Sequence, residues 1–311
     1  MIEVKGLVKT YPGGVQALRG LNLTVPEKIT TALVGESGCG KSTLAKILIG
    51  LEAPTEGDVL LDGKSLVGMP ARERSKHIQM IFQDSGSALN PRKRVFDIIA
   101  EPLKIQRASG KMVREKVFSL MEAVGLRPEM SQRFPHMFSG GQKQRIGIAR
   151  ALITDPQYII CDEPVSALDV SVQAQVLNLL YDLQKSRGLS LLFISHDLSV
   201  VRFLSQRLAV MYLGKVVEEN STDKAFQRPL HPYTQMLLLS LPSIYKKQRV
   251  IEAGDLELPS SIHPPPGCAF HPRCPYAQAI CREKVPAFEA KLGGKVACHL
   301  AEQLDLSKGL D

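Results

Sequence analysis

The spacing of apolar and polar residues changes several times along this 311-residue chain, and each change marks an element. Ile2–Leu7 and Ala17–Val25 read as an antiparallel pair of strands, with Gly13 and Gly14 placed to turn the chain between them. The β-branched and apolar run Ile29–Val34 predicts a short buried strand; a glycine-rich turn follows, then helical character over Leu44–Ile49. Gly57 and the pair Asp62-Gly63 predict a hairpin, and Ile78–Phe82 a further strand. Over 84–137 Leu, Val and Met alternate with charges as in a helical region. Strands and helices then alternate from 143 to 219: Lys143–Ile153 is helical, whereas Tyr158–Cys161 and Leu191–Ser195 are strand-like. The predicted fold class is α/β, with an antiparallel β part at 1–28 and a sheet core whose strand ends carry functional groups.

Composition is that of an ordinary globular protein, and 311 residues suffice for a large core with an appendage. No uncharged apolar stretch reaches the ~18 residues of a spanning helix, and the opening MIEVKGLVKTY reads as a charged strand rather than a signal peptide. The expectation is an intracellular protein whose membrane contact is peripheral or through partners. A net charge of +8 suits an anionic nucleotide, a membrane surface or nucleic acid alike. Basic residues are scattered, Trp is absent and no nucleic-acid-binding signature occurs, so nucleic acid is not expected as a partner. The cluster Arg72, Arg74, Lys76 and His77 reads as a solvated face.

Candidate chemistry enters with GESGCGKST at 35–43, which fills the turn between a strand and a helix. Gly35, Gly38 and Gly40 allow backbone N–H groups to curl around phosphates at the positive end of a helix. Lys41 would meet the β- and γ-oxygens, and Ser42 would ligate Mg²⁺; Ser37, Cys39 and Thr43 complete the loop. The strand in YIICDEP (158–164) ends in Asp162, a candidate Mg²⁺ holder, and Glu163, a candidate general base for an attacking water. Cys39 and Cys161 read as small space-filling residues.

The segment FSGGQ at 138–142 precedes a helix, and with the two motifs above it resembles the signature motif of the ATP-binding subunit of an ABC transporter. That resemblance implies a P-loop ABC ATPase fold: a mixed sheet core with an antiparallel β subdomain and a helical subdomain at about 84–150, within an ATPase domain at 1–235. It also implies roles by position. Ser139, Gly140, Gly141 and Gln142 would bind the γ-phosphate of ATP held by another subunit, with Phe138 where the family has Leu; Ser139 is also a plain helix N-cap candidate. Tyr11 would stack on adenine, Gln83 would contact Mg²⁺ or the attacking water, Asp169 of the segment SALD would lie at a dimer interface, and His196 would sense the γ-phosphate.

The C-terminal part narrows the resemblance. SGSALNPRK (85–93), HPYTQMLL (231–238) and PPPGCAFHPRCP (264–275) are similar to the dipeptide and oligopeptide importer ATPases, most of all the F-type ATPase of dipeptide importers; nickel-importer ATPases belong to the same group. Residues 236–311 would be the extension of that family, a small Cys-rich tail domain. Its Cys268, Cys274, Cys281 and Cys298, close together in a protein expected to be cytosolic, argue for a metal centre over disulfides. The resemblance implies a [4Fe–4S] cluster, with Zn²⁺ as the alternative and His271 or His299 as possible substitutes for a cysteine. It further implies ATP and Mg²⁺ as ligands, and a peripheral place on the cytoplasmic face of the membrane. The implied partners are a second, related ATPase subunit, two transmembrane permease subunits and an extracytoplasmic peptide-binding protein. A non-transport ABC ATPase is the rival expectation.

Overall fold

The computed structural model describes residues 1–241, 259–260, 262–308 and 310; the expected tail therefore lies partly outside the described residues, at 242–258, 261, 309 and 311. Its main sheet has eight strands in the order Glu289–Lys291, Gly294–Val296, Lys215–Ser221, Arg207–Tyr212, Thr30–Val34, Ser190–Ile194, Tyr158–Asp162 and Ile78–Ile81. Thr30–Val34, Ser190–Ile194 and Tyr158–Asp162 are buried at every position, which explains why they read as unbroken apolar runs and not as alternations. The pairings of Ile78–Ile81 with Tyr158–Asp162, of that strand with Ser190–Ile194, and of Ser190–Ile194 with Thr30–Val34 are all parallel. Their C-terminal ends therefore emerge at one edge, and the segments that follow them are brought together there. The expected parallel pattern stops at Arg207–Tyr212, which pairs antiparallel with Lys215–Ser221.

A second, antiparallel sheet runs Gln16–Val25, Ile2–Thr10, Glu56–Leu61 and Lys64–Ser65. The hairpin expected at Asp62-Gly63 is present, with φ of 51° and 80° at its two central residues, the left-handed pair that a tight hairpin turn demands.

The helical region packs by its own periodicity. Val95, Ile98, Ile99 and Leu103 of the helix Val95–Ile105 and Val113, Val117, Leu120 and Met121 of Gly110–Ala123 share one core with Ile146, Ile148 and Leu152 of Gly140–Leu152. Among the described residues no helix is long and apolar enough to cross a membrane.

Two expectations need correction. Arg74 is not on a solvated face: it is 7% exposed, and its guanidinium donates to the carbonyls of Leu66 and Ile47. Its charged neighbours in sequence concealed that one side of the short helix Ala71–His77 covers two backbone acceptors that need a long donor.

The fold also gives no support to a separate Cys-rich tail domain. Gly294–Val296 pairs antiparallel with Lys215–Ser221, so the tail extends the main sheet. Phe270 packs its ring against Tyr212 and Tyr233, with centroids 5.3 and 5.4 Å away. The small buried cluster of Cys281, Val296, Cys298, Leu300 and Ala301 in the tail closes on Leu230 of the main body.

At this junction Glu218 is fully buried and accepts the backbone N–H groups of Leu230 and His231, which start the helix Pro232–Leu239. Burial pushes Glu218 up to about 7 and His231 down to about 3. His231 is thereby kept neutral, and its Nδ1 accepts from the backbone N–H of Tyr233.

Candidate functional site

The loop between Thr30–Val34 and the helix Lys41–Ile49 can be built only with glycine at two positions. A Cβ on Gly35 would lie 2.2 Å from the Met211 carbonyl, and one on Gly40, where φ is 107°, would lie 2.3 Å from the Ala17 carbonyl. Backbone this close to its neighbours leaves the first N–H groups of the helix bare at its positive end. Lys41 is 6% exposed, and its Nζ donates to the carbonyls of Gly35 at 2.7 Å and Glu36 at 2.9 Å. Cys39 is buried with its thiol 3.7 Å from that ammonium, and Cys161 is buried in its strand; both fill space.

Four strand ends converge beside this loop. Ser42 Oγ donates to Asp162 Oδ1 at 3.3 Å, and burial raises the Asp162 carboxyl above the ordinary carboxylate range. A hydroxyl and a buried carboxylate at this separation form a donor set that a hard divalent cation such as Mg²⁺ would complete. The next residue, Glu163, adopts φ of 46°, a left-handed conformation unusual for its type, while its N–H donates to Ile194. That backbone aims its carboxylate at two partners: Gln83 Nε2 donates to Oε2 at 3.3 Å, and His196 Nδ1 lies 3.2 Å from Oε1. Ser42, Gln83, Asp162, Glu163 and His196, scattered over 155 positions, therefore form one chain of contacts.

The FSGGQ segment stands apart from this assembly. Ser139 caps the helix Gly140–Leu152, its side chain accepting from Gln142 N–H while the Gln142 side chain accepts from Ser139 N–H. Phe138 is buried and anchors the segment. Gly140 faces Leu168 and Gly141 faces Val172, next to Asp169, but among the described residues no hydrogen bond joins 139–142 to the loop 35–43. Tyr11 lies in the turn it closes with Val15, with the Lys9 ammonium 5.1 Å from its ring centroid. A cavity of about 340 Å³ beside the loop is lined by Val15, Ser37, Gly38, Tyr212, Pro259 and Ile262, without Tyr11. No local signal in the sequence marks Pro259 and Ile262 as neighbours of that loop.

Cys268, Cys274, Cys281 and Cys298 are free thiols that line one small pocket together with His231 and His271. Burial pushes Cys274 up to about 12 and Cys298 up to about 11, and raises Cys268 as well. The four sulfurs are thus assembled, yet among the described residues no group of three or more His, Cys, Asp or Glu is set close enough to hold a metal ion.

Comparison with known proteins places these features together. The family model described as "ABC transporter" matches residues 18–166, and that described as "Oligopeptide/dipeptide transporter, C-terminal region" matches 217–281. The chain is 49% identical over 306 residues to the oligopeptide transport ATP-binding protein AppF of Bacillus subtilis, covering 95% of this chain and 92% of that protein. It is 50% identical to the dipeptide transport ATP-binding protein DppF of Haemophilus influenzae, covering 96% of each. Among solved structures, cbiO1 of Clostridium perfringens aligns with a TM-score of 0.66 at 27% identity, over 72% of this chain and 90% of that one. The ATP-binding cassette MJ0796, in a dimer bound to ADP and Pi, aligns with a TM-score of 0.64 at 31% identity, over 71% and 99%.

Proposed function

The chain belongs to the ABC transporter family, among its peptide-transport ATP-binding proteins, and from that premise we propose that it is the ATP-hydrolysing subunit of an importer of dipeptides or short peptides. The observation that carries the hydrolytic part is the Glu163 carboxylate, met at one oxygen by Gln83 and at the other by His196, beside the Ser42–Asp162 pair.

In this reading the N–H groups of the loop that are left free at the start of the helix Lys41–Ile49 cradle the triphosphate, and Lys41 turns from the Gly35 and Glu36 carbonyls to the β- and γ-oxygens. Ser42 and Asp162 would hold Mg²⁺, which supplies charge neutralisation for the β- and γ-phosphates. Glu163 orients the attacking water and takes its proton on a carboxylate oxygen, while Gln83 and His196 fix the direction of that carboxylate. Tyr11, with Val15, would flank the adenine.

Ser139, Gly140, Gly141 and Gln142 present a capped helix start that, among the described residues, makes no hydrogen bond to this chain's own loop, which suits them to ATP held by another subunit. Asp169 would lie at that same interface. The second subunit is proposed to be a related but distinct ATPase, and the pair to drive two membrane permease subunits that receive peptide from an extracytoplasmic binding protein. The chain itself would sit at the cytoplasmic face of the inner membrane without entering it.

The test is uptake of a labelled dipeptide, a longer oligopeptide and nickel in cells lacking the gene, with and without the wild-type copy. Selective loss of dipeptide uptake, restored by that copy, is the expected result. Loss confined to nickel keeps the mechanism and overturns the cargo; intact uptake of all three overturns the importer reading in favour of a non-transport ATPase.

We also propose that Cys268, Cys274, Cys281 and Cys298 hold a [4Fe–4S] cluster. A single zinc ion needs its ligands gathered at bonding distance of one point, whereas a four-iron cluster spreads its sulfur ligands around a larger body. What supports a shared ligand site is that the four thiols line one pocket, and an all-thiolate donor set suits a four-iron cluster, with zinc as the alternative. Chain purified without oxygen is expected to carry iron and acid-labile sulfide, both lost on Cys281→Ser; stoichiometric zinc instead would overturn the assignment.

A further inference from the structure

Glu36 is the second residue of the nucleotide loop, and every polar handle it has is occupied. Its N–H donates to Tyr233 Oη at 2.9 Å, and its carbonyl accepts from Lys41. Its two carboxylate oxygens accept the two ends of the Arg273 guanidinium at 2.7 and 2.8 Å, a bidentate fork across 237 positions of sequence. Arg273 is 14% exposed at its side chain and lies 6.0 Å from the ring centroids of both Tyr212 and Phe270. Its strong pairing with Glu36 raises the guanidinium pKa above its ordinary value.

The geometry points to Arg273 as a positioning residue for nucleotide binding, holding Glu36 so that the loop stays open and the carboxylate is neutralised where a triphosphate must enter. This inference rests on the reading of 35–43 as the phosphate site. Glu36 is an anion within the anion-binding loop, and unpaired it would repel the β- and γ-phosphates and be free to take Lys41 for itself. Arg273 removes both liabilities without touching the nucleotide. It also sits at the end of the short helical turn His271–Arg273, one peptide bond from Cys274, with its own N–H donating to Phe270. Cys274 lines the four-cysteine pocket, so that pocket and the nucleotide loop are separated by one peptide bond and the fork.

The test is Mg-ATP titration of the full-length chain by calorimetry, comparing wild type, Arg273→Ala, Arg273→Lys and the double variant Arg273→Ala with Glu36→Gln. Loss of a charge-assisted fork is expected to weaken ATP about tenfold in Arg273→Ala. Arg273→Lys should fall between that variant and wild type, because one ammonium replaces a planar fork. The double variant should recover most of the lost affinity, since the unpaired carboxylate has gone; a residue that merely folds the tail would leave it as weak as the single variant. Wild-type affinity in Arg273→Ala, or no recovery in the double variant, overturns the inference. A wild-type chain that binds no ATP overturns the phosphate-site reading itself, which separates the two failures.

Discussion

Replacing Glu163 by Gln is expected to reduce steady-state ATP hydrolysis by the assembled complex at least about a hundredfold while leaving ATP binding intact, since a positioned general base contributes on that scale. The substitution is nearly isosteric. It keeps one oxygen able to accept from Gln83 or His196, so the chain of side chains that links four strand ends is disturbed little. What it removes is the charge that takes the proton from water. The left-handed backbone at Glu163, φ 46°, is shared by both residues, so the strain held there is not relieved and fold stability should change little. ATP should consequently be trapped, with hydrolysis lost and nucleotide retained after rapid filtration. Hydrolysis within a fewfold of wild type would defeat the general-base assignment and move the proton to another acceptor, for which His196, 3.2 Å from the same carboxylate, is the first candidate.

Much of this site could be read from the chain because its pieces are local. The loop 35–43 and the pair Asp162-Glu163 each occupy a strand end, where a short motif fixes both backbone and side-chain direction. Parallel pairing then does the assembly, since strands that run in one direction deliver their following residues to one edge. Helical periodicity likewise marked the region around Val95–Ile105 and Gly110–Ala123, whose apolar stripes form one core.

Contacts made at a distance left no such trace. Arg74 lies among charges and reads as solvated, although a buried helix face turns it onto two carbonyls. Gly294–Val296 is three residues long, too short for a period of two to register, and it becomes a strand only because Lys215–Ser221 offers it an edge. The Arg273–Glu36 fork joins a proline-rich tail to the nucleotide loop, and neither residue carries a local signal of the other. The cysteines are an intermediate case: their closeness in the sequence pointed to a shared site, whereas their folding onto the main sheet, with Phe270 against Tyr212 and Tyr233, depended on the aromatic surface provided there.

Lys41→Ala should abolish useful ATP binding, weakening affinity roughly a hundredfold, because an ammonium makes more than one charge-assisted contact with phosphate oxygens and each is worth about 1.5–3 kcal/mol. The structure shows how Lys41 is held ready for that exchange. Lys41 is 6% exposed and already desolvated, and its Nζ is satisfied by carbonyls of the same loop, so the nucleotide exchanges two neutral acceptors for charged ones without a new burial cost. Removing the side chain leaves the Gly35 and Glu36 carbonyls without that donor, which should also lower the stability of the nucleotide-free chain by about 1–3 kcal/mol. The two effects separate experimentally. Calorimetric titration reads the first, and urea unfolding without nucleotide reads the second. Complementation of the deletion strain by Lys41→Ala should give no uptake even where the chain accumulates normally. An affinity for ATP within a fewfold of wild type would mean that the phosphates are held by the loop's N–H groups alone, and that the ammonium serves only to pin Gly35 and Glu36.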